Sequence, residues 1–89
     1  MNLLYAKKFS KDLEGVENNA KLKQHLLKLL EQMKQTDSLT GLNGVRKIQG
    51  YENYYRIRIG DYRLGIKATE NGIELLRLLH RKDIYRRFP

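Results

Sequence analysis

The spacing of apolar residues changes once along the chain and divides it into a helical half and a strand half. Asn2-Leu3-Leu4-Tyr5-Ala6 is a short apolar run that suits a strand. In the next segment Phe9 and Leu13 stand four residues apart and open a helical stripe. Asn18 and Asn19 suit a turn followed by a helix N-cap. From Ala20 to Lys34 the apolar set is Leu22, Leu26, Leu27, Leu29, Leu30 and Met33, with Lys21, Lys23, Lys28, Glu31 and Lys34 on the other face. That spacing predicts a long amphipathic helix. His25 lies beside the leucine stripe and reads as structural. Gln35 to Gly44 is polar, contains two glycines, and reads as a loop.

Beyond the loop the pattern shortens to strands at Val45–Gln49, Tyr54–Ile59, Tyr62–Ala68 and Ile73–His80, with Asn71-Gly72 as a two-residue hairpin signal. The basic tail Arg81 to Phe88 suits a short terminal helix or a loose end. The order β-α-α-β-β-β-β describes an α+β domain with a mostly antiparallel sheet and a helical hairpin packed on one face. No repeat or low-complexity stretch interrupts it, and the lone proline is Pro89, so residues 1–89 read as one domain.

The hairpin at Tyr54–Lys67 fixes a register. If Gly60-Asp61 is a two-residue turn of type II′, Ile59 pairs with Tyr62, Arg58 with Arg63, Ile57 with Leu64, Arg56 with Gly65, Tyr55 with Ile66 and Tyr54 with Lys67. Paired residues share a face and successive residues alternate. Tyr55, Ile57, Ile59, Tyr62, Leu64 and Ile66 then form a core face. Tyr54, Arg56, Arg58, Arg63, Gly65 and Lys67 form the opposite one. Gly65 would leave this patch low at its centre. In the last strand Arg77 is expected on the same basic face as Arg81, with Leu76, Leu78 and His80 on the other.

Charge sharpens this picture. Eighteen Lys and Arg oppose ten acids, a net +8. Residues 1–45 carry a net +2 and no arginine, whereas residues 46–89 carry a net +6 and all eight arginines. Arginine's planar fork suits phosphate, so the second half reads as a polyanion-binding surface. Like charges directly opposite, as at Arg58 and Arg63, destabilise a sheet. They are accounted for by an anion bound between them, or by pairing with Glu52, Asp61, Glu70 or Glu74. No cysteine is present, no metal-ligand constellation is visible, and no segment suits a signal peptide or a membrane span. A cytoplasmic protein with no cofactor and no membrane contact is the expectation.

Tyr55-Arg56-Ile57-Arg58-Ile59-Gly60-Asp61-Tyr62-Arg63-Leu64 resembles the basic strand, tight turn and Tyr-Arg strand of the RelE/ParE toxin superfamily, and His80-Arg81-Lys82-Asp83-Ile84-Tyr85 resembles its C-terminal His-Arg-x-x-x-Tyr motif. The helical hairpin with its Phe-x-Lys-x-Leu opening also fits, so the resemblance covers nearly the whole chain. It implies a microbial-RNase-like fold in a bacterial toxin silenced by a cognate antitoxin in a hetero-oligomer. It implies either ribosome-dependent, metal-independent cleavage of messenger RNA in the A site or inhibition of DNA gyrase; a non-catalytic nucleic-acid-binding domain is the third reading. Under the nuclease reading, Arg63 and Arg81 clamp the phosphate, Arg56 and Arg58 stabilise developing charge, and Tyr85 orients the substrate. The general base is left to His80, with Lys47 or Lys82 next, because arginine does not deprotonate. Lys47, Tyr54, Lys67, Arg77 and Lys82 complete the expected RNA-binding surface.

Overall fold

A computed structural model describes all 89 residues. In chain order the elements are β1 (Leu3–Tyr5), α1 (Lys7–Gly15), α2 (Ala20–Gln35), a single 3-10 turn (Leu39–Gly41), β2 (Val45–Lys47), β3 (Tyr54–Ile59), β4 (Tyr62–Thr69), β5 (Gly72–His80) and α3 (Arg81–Arg87). The strands form one sheet in the order β1-β5-β4-β3-β2, in which β1 runs parallel to β5 and the other pairs are antiparallel.

Both long helices start and face as their residues dictate. Asn19 caps α2, its Oδ1 accepting from the Leu22 N–H at 3.1 Å. Leu22, Leu26, Leu29 and Met33 are buried, and with Phe9 of α1 they cover one face of the sheet. Leu27 is an exception to the expected stripe: it is 63% exposed, on the outer side of α2. His25 is also exposed, beside the Gly60-Asp61 turn, and is not a core histidine.

The β3–β4 register is the expected one at all six pairs. Gly60 takes a φ of +58°, which a II′ turn requires at its first central residue. Ile57, Ile59, Leu64 and Ile66 are buried on the helix side, with Tyr55 and Tyr62 at the margin. At the next hairpin Thr69 pairs with Gly72, so the turn is Glu70-Asn71 and not Asn71-Gly72. Gly72 is the first strand residue, and a side chain there would collide with the Asn2 carbonyl.

β5 departs most from strict alternation. Gly65 pairs with Arg77 and Ile66 with Leu75, leaving Leu76 as the extra residue of a β-bulge. The bulge resets the parity of the strand. Ile73, Leu75 and Leu78 face the helices, while Leu76 and Leu79 turn to the other side. There α3 packs through Ile84 and Phe88, forming a second small apolar cluster with Leu79, Ile48, Tyr54 and Leu76. The tail is therefore helical, and the face opposite α1 and α2 is not fully open.

Candidate functional site

Alternation in three adjacent strands gathers four arginines. Arg46 pairs with Arg56 across β2 and β3, and Arg58 pairs with Arg63 across β3 and β4. Together with Gly44 and Tyr85 they line a cavity of about 200 Å³. The ion pairs of the molecule are Arg77–Asp12 and Arg86–Asp83, so no carboxylate lies within 4.0 Å of any of the four guanidinium groups. The expected alternative, neutralisation by nearby acids, does not occur. Like charges opposite each other each cost a few tenths to about 1 kcal/mol.

Local backbone positions the walls. The Arg58 N–H donates to the Gly44 carbonyl at 3.1 Å, which brings the start of β2 to the cavity edge. Arg63 is folded onto its own turn, with Nη1 donating to the Gly60 and Tyr62 carbonyls, each at 2.9 Å. Its remaining donors have a fixed direction. Tyr85 comes from α3 and is 64% exposed, with the Arg56 Cζ 4.7 Å from its ring centroid. The Arg81 N–H donates to the Asp61 carbonyl at 2.8 Å, anchoring the start of α3 to the β3–β4 turn.

This cavity is a concave, uncompensated cluster of forked donors with an aromatic rim, suited to a phosphate diester and its neighbouring groups. No three histidine or acidic side chains converge as a metal site would need.

A family model described as the ParE toxin of type II toxin-antitoxin system, parDE, matches residues 3–85. The chain belongs to the RelE/ParE toxin superfamily. Over 90 residues it is 42% identical to Toxin RelE3 of Methanocaldococcus jannaschii, covering the full length of both proteins. Among solved structures, the RelB-RelE antitoxin-toxin complex of Methanococcus jannaschii matches with a TM-score of 0.79 and 41% identity, over 97% of this chain and 99% of that one. The YoeB dimer of Staphylococcus aureus shares the fold at a TM-score of 0.74 and 19% identity, over 91% of this chain and 97% of that one.

The toxin's sequence-expected site residues divide into three groups. Arg56, Arg58, Arg63 and Tyr85 converge on the cavity. Tyr54, Lys67, Arg81 and Lys82 lie outside it. The Tyr54 ring packs tilted against Phe88, centroids 5.9 Å apart, and the Lys67 Nζ sits 5.3 Å from the Tyr54 ring centroid. Arg81 and Lys82 are exposed at the start of α3.

The third group is turned away or held at the sheet edge. Lys47 pairs with Tyr55, on the helix side of the sheet, and borders a cleft of about 690 Å³ there. His80 pairs with Tyr62, also on that side, its ring 5.4 Å from Tyr62. Its Nδ1 accepts from the Lys82 N–H at 3.2 Å and caps α3. Arg77 keeps the register of Gly65, and with it the expected face, but it lies at the sheet edge outside the cavity, where Nε and Nη2 bind both oxygens of Asp12 of α1 at 2.8 and 3.1 Å. The hydrogen bond to Asp12 holds the Arg77 guanidinium above its ordinary pKa, with the Asp12 charge helping and burial opposing. Asp12 Oδ2 also accepts from the Leu78 N–H at 2.9 Å, satisfying the edge of β5 where β1 has ended. The expected hollow over Gly65 is filled, since a Cβ there would lie 2.8 Å from the Phe88 ring.

Arg46 was missed by sequence reasoning. The signal was available: with Val45 facing the core, its neighbour must face the arginines.

Proposed function

We propose that this toxin is a ribosome-dependent endoribonuclease that cuts messenger RNA in the A site and is silenced by a cognate antitoxin. The observation that carries the reading is the four-arginine cavity rimmed by Tyr85, with no acid to neutralise it. In this reaction the RNA's own 2′-OH attacks the adjacent phosphorus. The P–O5′ bond breaks, leaving a 2′,3′-cyclic phosphate and a 5′-OH. Negative charge grows on the non-bridging oxygens in between, and fixed donors aimed at that charge lower the barrier. Arg63, held by two carbonyls, is preorganised for this role, with Arg46, Arg56 and Arg58 around it.

Proton transfer is the thinner part of the chemistry. The cavity lining holds no imidazole, carboxylate or ammonium group, only guanidinium groups and the Tyr85 phenol. Tyr85 is therefore assigned to orient the 2′-OH or to relay its proton, and the ribosome to align the RNA for in-line attack. A +8 protein with this cavity open would hold RNA nonspecifically in a salt-dependent way, which an acidic antitoxin would prevent.

The deciding experiment maps 5′ ends on a reporter messenger RNA in a translating extract. New ends in frame with codons, lost when translation is blocked or when Arg63→Ala is used, support the reading. DNA gyrase inhibition is the second reading, favoured by the ParE description of the matching family and by the missing side-chain base. An absence of new ends, together with loss of supercoiling by purified gyrase, would select it.

A further inference from the structure

The arginine cavity carries more charge and more donors than one phosphodiester can satisfy. A diester brings a single negative charge. The lining supplies Arg46, Arg56, Arg58 and Arg63, with no carboxylate within 4.0 Å of any guanidinium. Each guanidinium keeps its proton and presents a fork of N–H donors. One diester therefore leaves most of the repulsion between the arginines in place.

The two register pairs are built alike. In each, one arginine is half-buried and its partner is exposed: Arg56 opposite Arg46, and Arg63 opposite Arg58. The half-buried members are held, Arg63 by the Gly60 and Tyr62 carbonyls and Arg56 against the Tyr85 ring. The arginine side chains that hydrogen-bond within the chain are those of Arg63, Arg77 and Arg86, so Arg46 and Arg58 are free arms. Two fixed forks and two free arms can close on a compact anion from opposite sides.

We propose that this cavity also binds a compact polyphosphate, the phosphate chain of a free nucleotide or its inorganic equivalent, in competition with RNA. The inference rests on the anion-binding reading of the cavity and adds a regulator to it. Charge supports it: a terminal phosphate alone carries about −1.5 to −2 near neutral pH, and inner phosphates add to that. Size supports it too. The cavity is about 200 Å³, below the roughly 300–1,000 Å³ of pockets that enclose a drug-sized ligand. It admits a phosphate chain and leaves a nucleoside outside. Mg²⁺ on nucleotides is held between carboxylates and phosphates. This lining has no carboxylate, and its cations repel a divalent one, so the site selects the metal-free anion. A full pool of nucleoside triphosphate then holds the toxin off RNA, and a depleted pool releases it.

The test is calorimetric titration of the whole toxin with inorganic monophosphate, pyrophosphate and tripolyphosphate, and with ATP, in metal-free buffer. Affinity should rise with each added phosphate. ATP should match tripolyphosphate within a few-fold, and excess Mg²⁺ should weaken both. The double variant Arg46→Gln, Arg58→Gln should bind tripolyphosphate roughly tenfold more weakly or worse. Lys23→Gln with Lys28→Gln removes the same charge from the exposed face of α2 and should change binding far less. All four positions are exposed, and circular dichroism checks that both variants keep the fold. Equal losses in the two variants, or tripolyphosphate no tighter than monophosphate, would overturn the proposal, because diffuse net charge then accounts for the binding. Tripolyphosphate binding without ATP binding would overturn the nucleotide as the competitor and leave inorganic polyphosphate. Tripolyphosphate should also displace a 2′-O-methyl RNA trinucleotide, and failure to displace bound RNA would overturn the competition. Tripolyphosphate held at the arginines with no binding of that RNA would overturn the RNA reading and leave the polyphosphate site standing.

Discussion

The two faces of the sheet are built from alternate residues of the same strands, yet they do opposite things. Toward α1 and α2, Ile57, Ile59, Leu64, Ile66, Ile73, Leu75 and Leu78 join Phe9, Leu22, Leu26, Leu29 and Met33 in a cluster of twelve buried residues. On the other face the buried side chains are those of Leu79, Ile84 and Phe88, and the rest of that surface includes four unpaired arginines. Stability is concentrated on one parity of the strands and anion affinity on the other. A substitution therefore changes one property or the other according to the face its position takes on its own strand, an alternation that shifts from strand to strand and resets at the β5 bulge.

The largest effect that tests this division is on the helix side. Leu64 is fully buried there, and Leu64→Ala should cost about 2–5 kcal/mol in chemical denaturation. Leu79→Ala, in the smaller cluster at 6% exposure, should cost less because α3 can settle onto the gap. Equal losses would mean that the two faces share one core.

Next in size is the strap between α1 and β5. Asp12→Ala leaves the Arg77 guanidinium, 12% exposed, and the Leu78 N–H without their acceptor. A loss of about 2–3 kcal/mol is expected by denaturation. A raised arginine pKa contributes stability that is complete below the ordinary value and fades only as pH rises through the folded one. The Arg77 titration therefore adds no slope to stability through the neutral range. A change below 0.5 kcal/mol would show that water replaces the strap at no cost.

The sequence made one strand pair fully legible and its neighbour only partly so, for a physical reason. Gly60-Asp61 is a two-residue turn between alternating runs, so turn geometry and parity agree and leave a single register. β5 has no such anchor. Its bulge at Leu76 lies inside a run of leucines, where either face is apolar, and the one glycine at the irregularity, Gly65, stands on the partner strand β4. What decides it is tertiary: Asp12 draws Arg77 to the edge, and α3 offers Leu76 and Leu79 a second apolar cluster. The same limit explains Lys47. Its charge suggested the basic face, but its side is set by Val45 packing into the core two residues earlier. The tail Arg81 to Phe88 left a short helix and a loose end both open; the packing of Ile84 and Phe88 on Leu79 decides for the helix, which then covers Gly65.

A smaller effect runs in the opposite direction. Arg58 faces Arg63 directly across the sheet and has no acid to balance it. Arg58→Thr should raise stability by about 0.5 kcal/mol while lowering toxicity, and the gain should shrink in high salt as the repulsion is screened. A loss of stability would mean that the arginine's aliphatic stem matters more than its charge.

The smallest expected change is at His80, and it separates capping from chemistry. Nδ1 of His80 accepts the Lys82 N–H, and the ring packs edge-on to Tyr62, on the side of the sheet away from the arginines. In that position the imidazole organises the first turn of α3, and so the placement of Tyr85. Asparagine is among the best N-caps and cannot act as a base. His80→Asn should therefore keep stability within about 0.5 kcal/mol and keep messenger RNA cleavage within a few-fold. His80→Ala should lose about 1 kcal/mol of stability. A fall of roughly 10²-fold or more in cleavage by His80→Asn, with the fold intact, is the loss expected of a general base. It would require α3 to swing His80 across to the arginine face when RNA binds.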